Sequence, residues 1–107
     1  MKAGARVGAI KSVKDGVAYF FGYGTYEGDE IPVEGTYFMG VDMNKVGHKS
    51  PKIILDVGDV VYGCECWWGS KEGVESRLKD CKRIEYVTVR DHRDEVRKII
   101  DSRPKKR

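Results

Sequence analysis

Three cysteines and two histidines are the side chains of this 107-residue chain whose chemistry suits a metal site or a covalent nucleophile. Cys64 and Cys66 sit in "GCECWWG" (63–69), with Cys81 further along and His48 and His92 elsewhere. Together they offer enough nitrogen and sulfur for tetrahedral zinc, but C-x-C is not the C-x₂₋₄-C spacing of a zinc knuckle, and no second close pair follows. A Cys64–Cys66 disulfide is disfavoured as well, because same-face neighbours in a strand lie at the limit of the permitted separation. Cys81 falls on an apolar helix stripe, where a thiol is an ordinary small core residue. Nucleophilic catalysis would require a base beside the sulfur, and neither histidine can be placed there. Reduced, metal-free, largely buried thiols are therefore expected, and catalysis is not favoured.

Carboxylates and aromatics cluster better. Glu27, Asp29, Glu30 and Glu65 could converge to hold magnesium or perform acid–base work, although acidic residues in glycine-rich turns are commonly just solvated turn formers. "GYGTYEG" lacks the G-x-G-x-x-G spacing and the following helix of a dinucleotide loop. Tyr23, Tyr26, Tyr37 and Trp67 stand near glycines, which let a planar group approach closely, and such rings anchor stacked ligands and protein interfaces alike. The expected site joins Tyr23, Tyr26, Glu27 and Asp29 to Glu65 and Trp67, as a non-catalytic module for a nucleotide-like or small polar ligand, without a cofactor. Two alternatives stand beside it. One is protein interaction or self-assembly, with Trp67 buried between subunits, and the other is nucleic-acid binding by a small barrel with a basic tail.

The elements that must carry these residues are mostly strands. Residues 5–13 and 17–23 flank an Asp15–Gly16 turn, a tight-hairpin signal. Alternation puts Val17, Tyr19, Phe21 and Tyr23 on one face and Ala18, Phe20 and Gly22 on the other, so both faces should be covered. Residues 30–51 give a weak reading, with a short strand within "VEGTYFMGVDM" and a loop at "NKVGHKSP". "KIIL" and "VVYG" flank "DVGD" as a second hairpin. Its returning strand should run through the cysteines, with Val60, Tyr62, Cys64, Cys66 and Trp68 inward and Val61, Gly63, Glu65 and Trp67 outward. Ser70 should cap a helix burying Val74, Leu78 and Cys81, and "RIEYVTV" alternates as a strand. Asp91 should cap a last helix that buries Val96, Ile99 and Ile100 and ends before Pro104. This order predicts an α+β fold: a small, strongly bent antiparallel sheet or SH3-like barrel, with two short helices in the C-terminal third.

"GYGTYEGD" (22–29) and "GCECWWG" (63–69), with "ILDVGDVVYG" between them, resemble a group of short bacterial and phage proteins of no assigned function. The likeness covers most of residues 4–75 and implies no activity. The hairpin-and-glycine layout of the first half also resembles SH3-like small barrels, a layout that serves many functions.

Residues 1–102 are expected to form one domain and 103–107 a basic, disordered tail. The formal charge of +3 comes from that tail, because Arg103, Lys105, Lys106 and Arg107 leave 16 positive against 17 negative groups in the body. A balanced body argues against a nucleic-acid face. No apolar run is long enough to cross a bilayer and the N-terminus lacks a signal-peptide core, so a cytoplasmic protein is expected.

Overall fold

A computed structural model of the chain describes residues 1–103. β1 (Arg6–Lys14) and β2 (Val17–Glu30) form the expected hairpin. Asp15 and Gly16 both adopt positive φ, 54° and 78°, as a two-residue turn between twisted strands requires. β2 is the spine of the sheet. One edge carries β1, while the other carries β8 (Arg83–Tyr86) along its first part and β5 (Ser50–Leu55) along its second. β6 (Val60–Tyr62) extends the sheet beyond β5, and β7 (Trp67–Ser70) beyond β1, giving the order β6-β5-β2-β1-β7.

The α+β class is as expected, and of the two architectures foreseen the bent sheet is the one formed. Among the described residues β6 and β7 do not pair, so no closed barrel results. A 3₁₀ turn at Gly63–Glu65 carries the chain between these two strands, where strand alternation predicted continuous extended structure. The sheet is also not wholly antiparallel, since β8 runs parallel to β2.

Each sheet face has its own core. On one, Val7, Ala9, Phe21, Tyr26, Ile53, Leu55, Val61 and Val89 pack together with Trp68 and Cys66. On the other, Ile10, Ala18, Phe20, Val74 and Leu78 pack with Tyr23 and Cys81. Tyr23 thus shares a face with Phe20, against the alternation expected. The reason is a bulge: Ala9 pairs with Gly22 and Ile10 with Phe20, leaving Phe21 as the extra residue beside Gly22 at φ 126°. In β6, which pairs with β5 in unbroken register, Val61 opposite the buried Ile53 enters the core rather than Val60, and Tyr62 is buried beside it.

α2 (Lys71–Lys79) covers the second core as predicted, with Ser70 Oγ accepting from Gly73 N at 3.1 Å and Val74 and Leu78 buried. α3 (Val89–Asp101) starts earlier than predicted, because Thr88 rather than Asp91 is the cap, its Oγ1 accepting from Asp91 N at 3.1 Å. Its expected buried stripe is not buried: Val96 and Ile100 are only half-covered and Ile99 is 55% exposed. Only Val89 of this helix reaches the core, and ion pairs, Arg93–Glu65 and Lys11–Glu95, tie down the rest. The tail expected at 103–107 lies outside the described residues apart from Arg103, which is exposed.

Between β2 and β5 the chain leaves the sheet as an arm. β3 (Tyr37–Phe38) and β4 (Val41–Asp42) pair across a Met39–Gly40 turn in which both residues take positive φ, 51° and 80°. A third, unpredicted helix follows, the single turn α1 (Met43–Val46). No helix among the described residues is long and apolar enough to cross a membrane.

Candidate functional site

The six residues expected to converge are not brought together. Tyr23 lies on the α2 face and forms an edge-on pair with Phe20, ring centroids 5.0 Å apart. It also lines a cavity of about 310 Å³ with Glu75, Leu78, Lys79 and Ile84. Burial, reinforced by Glu75, raises the pKa of its hydroxyl. Trp67 shares this face, because it pairs with Ile10 in β1, and is 48% exposed with Arg77 5.3 Å from its ring centre. Glu75 and Lys79 lie on one side of the buried Val74–Leu78 line of α2, and Arg77 on the other. The helix therefore stands between Tyr23 and Trp67.

Tyr26 belongs to the opposite core. Its ring stacks on Trp68 at 5.4 Å, and its hydroxyl donates to Asp29 Oδ1 at 2.6 Å, a bond that raises the tyrosine pKa. Glu27 is exposed on β2. Glu65, expected outside beside Trp67, is turned inward by the 3₁₀ turn, and its side chain is 2% exposed. Its carboxylate accepts from Tyr62 N at 3.0 Å, Arg93 Nε at 2.9 Å and Arg93 Nη2 at 2.8 Å. With both carboxylate oxygens accepting bonds inside the fold, Glu65 anchors α3 and is not presented to a ligand.

The thiols are free, and each is partly covered rather than fully buried. Desolvation pushes the Cys66 thiol up to about 12, and Cys64 is raised for the same leading reason. A thiol held protonated in this way is a poor nucleophile and a poor metal ligand. His92 sits edge-on to Phe21 at 5.5 Å, and burial lowers its pKa. Among the described residues no group of three or more His, Cys, Asp or Glu is arranged to hold a metal ion.

The arm at 31–49 supplies what sequence reasoning missed. Pro32 and Thr36 are fully buried and fix its base. Asp42 organises the rest, with Oδ1 accepting from Asn44 N at 3.0 Å and Oδ2 from Gly35 N at 3.2 Å. Asn44 Nδ2 donates to the Pro32 carbonyl at 2.9 Å, and Met43 N to the Thr36 carbonyl at 2.8 Å. This internal bonding shapes the backbone while leaving Ile31, Val33, Phe38, Met39, Val41 and Val46 exposed, Met39 by 85%. The guanidinium of Arg103, at the end of α3, lies against Gly40, where a β-carbon would collide with it. "YFMGV", an apolar run broken by a turn glycine, was the signal for an exposed hairpin tip. Compared with protein families, curated proteins and solved structures, the chain matches none.

Proposed function

We propose that this chain is a non-catalytic binding module that works through protein contact, with the arm as its contact surface. One observation carries the reading: six large apolar side chains stand exposed within 31–46, a segment whose own backbone is hydrogen-bonded into shape. Single exposed apolar residues are ordinary, whereas a concentration of them favours an interaction surface. Because the arm is already ordered, little conformational entropy remains to be lost on docking. Photo-crosslinking tests this. A benzophenone side chain at position 39 of the full chain, expressed in cells, is expected to give discrete protein adducts that the same probe at position 14 does not. Equal adducts at both positions, or none, reject the reading.

A small ligand is the second reading, favoured by the cavity at Tyr23. Its size falls at the low end of ligand sites, roughly 300–1,000 Å³. Tyr23 offers a ring for a planar polar group such as a nucleobase, and Glu75 and Lys79 offer an acceptor and a donor at its rim.

A further inference from the structure

We infer that β8 pairs with the β8 of a second copy of this chain, antiparallel across a two-fold axis at Ile84, so that two sheets become one. The starting point is an open edge, remote in sequence from the arm. β8 is the one strand among those described in which every residue is exposed. Its inner edge runs parallel to β2, with Arg83 N donating to the Gly16 carbonyl at 3.4 Å and Val87 N to the Phe20 carbonyl at 3.0 Å. Alternate residues of a parallel ladder bond to the neighbouring strand, so Arg83, Glu85 and Val87 face β2, while the N–H and C=O of Ile84 and Tyr86 point away from it. Among the described residues no strand takes up those groups. Such an edge is a template for another strand.

Charge selects the strand and its register. A two-fold antiparallel pairing sets one residue opposite itself. An axis at Arg83 or at Glu85 puts like charges face to face, which destabilises a ladder. An axis at Ile84 puts Arg83 opposite the other copy's Glu85 and Glu85 opposite its Arg83. Within one copy these two already meet, Arg83 Nη2 to Glu85 Oε1 at 2.9 Å, so pairing closes a ring of four alternating charges. The same axis lets Ile84 exchange both backbone bonds with its own copy and offers the Tyr86 N–H the Lys82 carbonyl. Ile84 and Tyr86 lie on the α2 side of the strand, Ile84 lining the cavity beside Tyr23 and the Tyr86 ring 5.6 Å from that of Phe20. Their exposure, 38% and 75%, falls when Ile84 meets Ile84 across the axis. A foreign strand would need an acid and a base at the same two positions; a second copy carries both.

Sedimentation equilibrium on the purified full chain is the test. The contact is short for an interface, so the wild type is expected to sediment at 12.1 kDa when dilute and to approach twice that mass as concentration rises. Arg83→Glu and Glu85→Arg each create like-charge pairs on both sides of the axis and should weaken dimerisation about tenfold. Because the Arg83–Glu85 pair is exposed, its loss within one copy costs the fold little. The double variant, Arg83→Glu with Glu85→Arg, restores every opposite-charge pair and should dimerise within about threefold of the wild type. Amide exchange supplies a second readout, since Ile84 and Tyr86 N–H should become protected as the wild type associates. A wild type that stays monomeric at its highest soluble concentration overturns the inference. So does a dimer that the single variants leave intact, a double variant no stronger than the singles, or a dimer in which the Ile84 and Tyr86 amides exchange as fast as in the monomer. The arm reading is decided separately, by crosslinking at position 39.

Discussion

Arg93→Ala is expected to destabilise the fold by about 3–5 kcal/mol, the cost of removing one partner from a buried ion pair. The loss is large because of what stays behind. Glu65 is 2% exposed, and without the guanidinium its carboxylate keeps only the Tyr62 amide at 3.0 Å as a donor. The substitution also frees the Val60 carbonyl, which Arg93 Nη2 reaches at 3.2 Å, and removes the main polar tie between α3 and the 3₁₀ turn. Urea denaturation midpoints measure the effect. Adding Glu65→Gln to Arg93→Ala should recover part of the loss, since a neutral amide is much cheaper to bury than a charge. A single-variant cost below about 1 kcal/mol would mean that water reaches Glu65 and that the pair behaves as a surface bridge.

Trp68→Ala should cost about 3 kcal/mol, the low end for a large aromatic truncation because the indole is half-covered. Trp68 stacks on Tyr26 with ring planes 20° apart, and its Nε1 lies close over Gly63, so its loss opens the core between β2 and the 3₁₀ turn. Trp67→Ala should cost about 1 kcal/mol or less, mainly the cation–π contact with Arg77 on an exposed ring. Denaturant midpoints for the pair of variants check the order. If Trp67→Ala is the more damaging change, the assignment of Trp68 to the core and Trp67 to the surface is reversed.

That assignment was legible in the sequence, though not for the full reason. Alternation correctly separates Trp67 from Trp68, because β7 is extended and pairs Trp67 with Ile10 and Trp68 with Ala9. The same alternation misplaces Glu65, because Glu65 is the last of three residues of 3₁₀ turn that interrupt the extended chain. Nothing in "GCE" announces that turn. Its stability comes from Arg93, 28 residues away, a contact no local pattern encodes. The Asp15–Gly16 hairpin and the Ser70 cap were readable because turn and cap chemistry is local. The bulge at Phe21 was not, since it depends on how β1 registers against Gly22. α3 was recognisable as an amphipathic helix, but periodicity shows only that Val96, Ile99 and Ile100 share a face. It cannot show that the fold leaves that face half-open. The predicted site failed to assemble for two reasons: Tyr23 and Tyr26, three residues apart in a regular stretch of β2, face opposite cores, and the 3₁₀ turn removes Glu65 from the surface that Trp67 occupies.

The claim that the arm is a contact surface is tested most directly by the oxidation of Met39. In dilute purified protein this thioether, 85% exposed, should react with peroxide as readily as an unfolded methionine. In cells making the full chain, mass spectrometry is expected to find Met39 several-fold slower to oxidise than in the dilute protein. Oxidation at the same rate in both settings would mean that nothing covers the arm where the protein works, and would contradict the account.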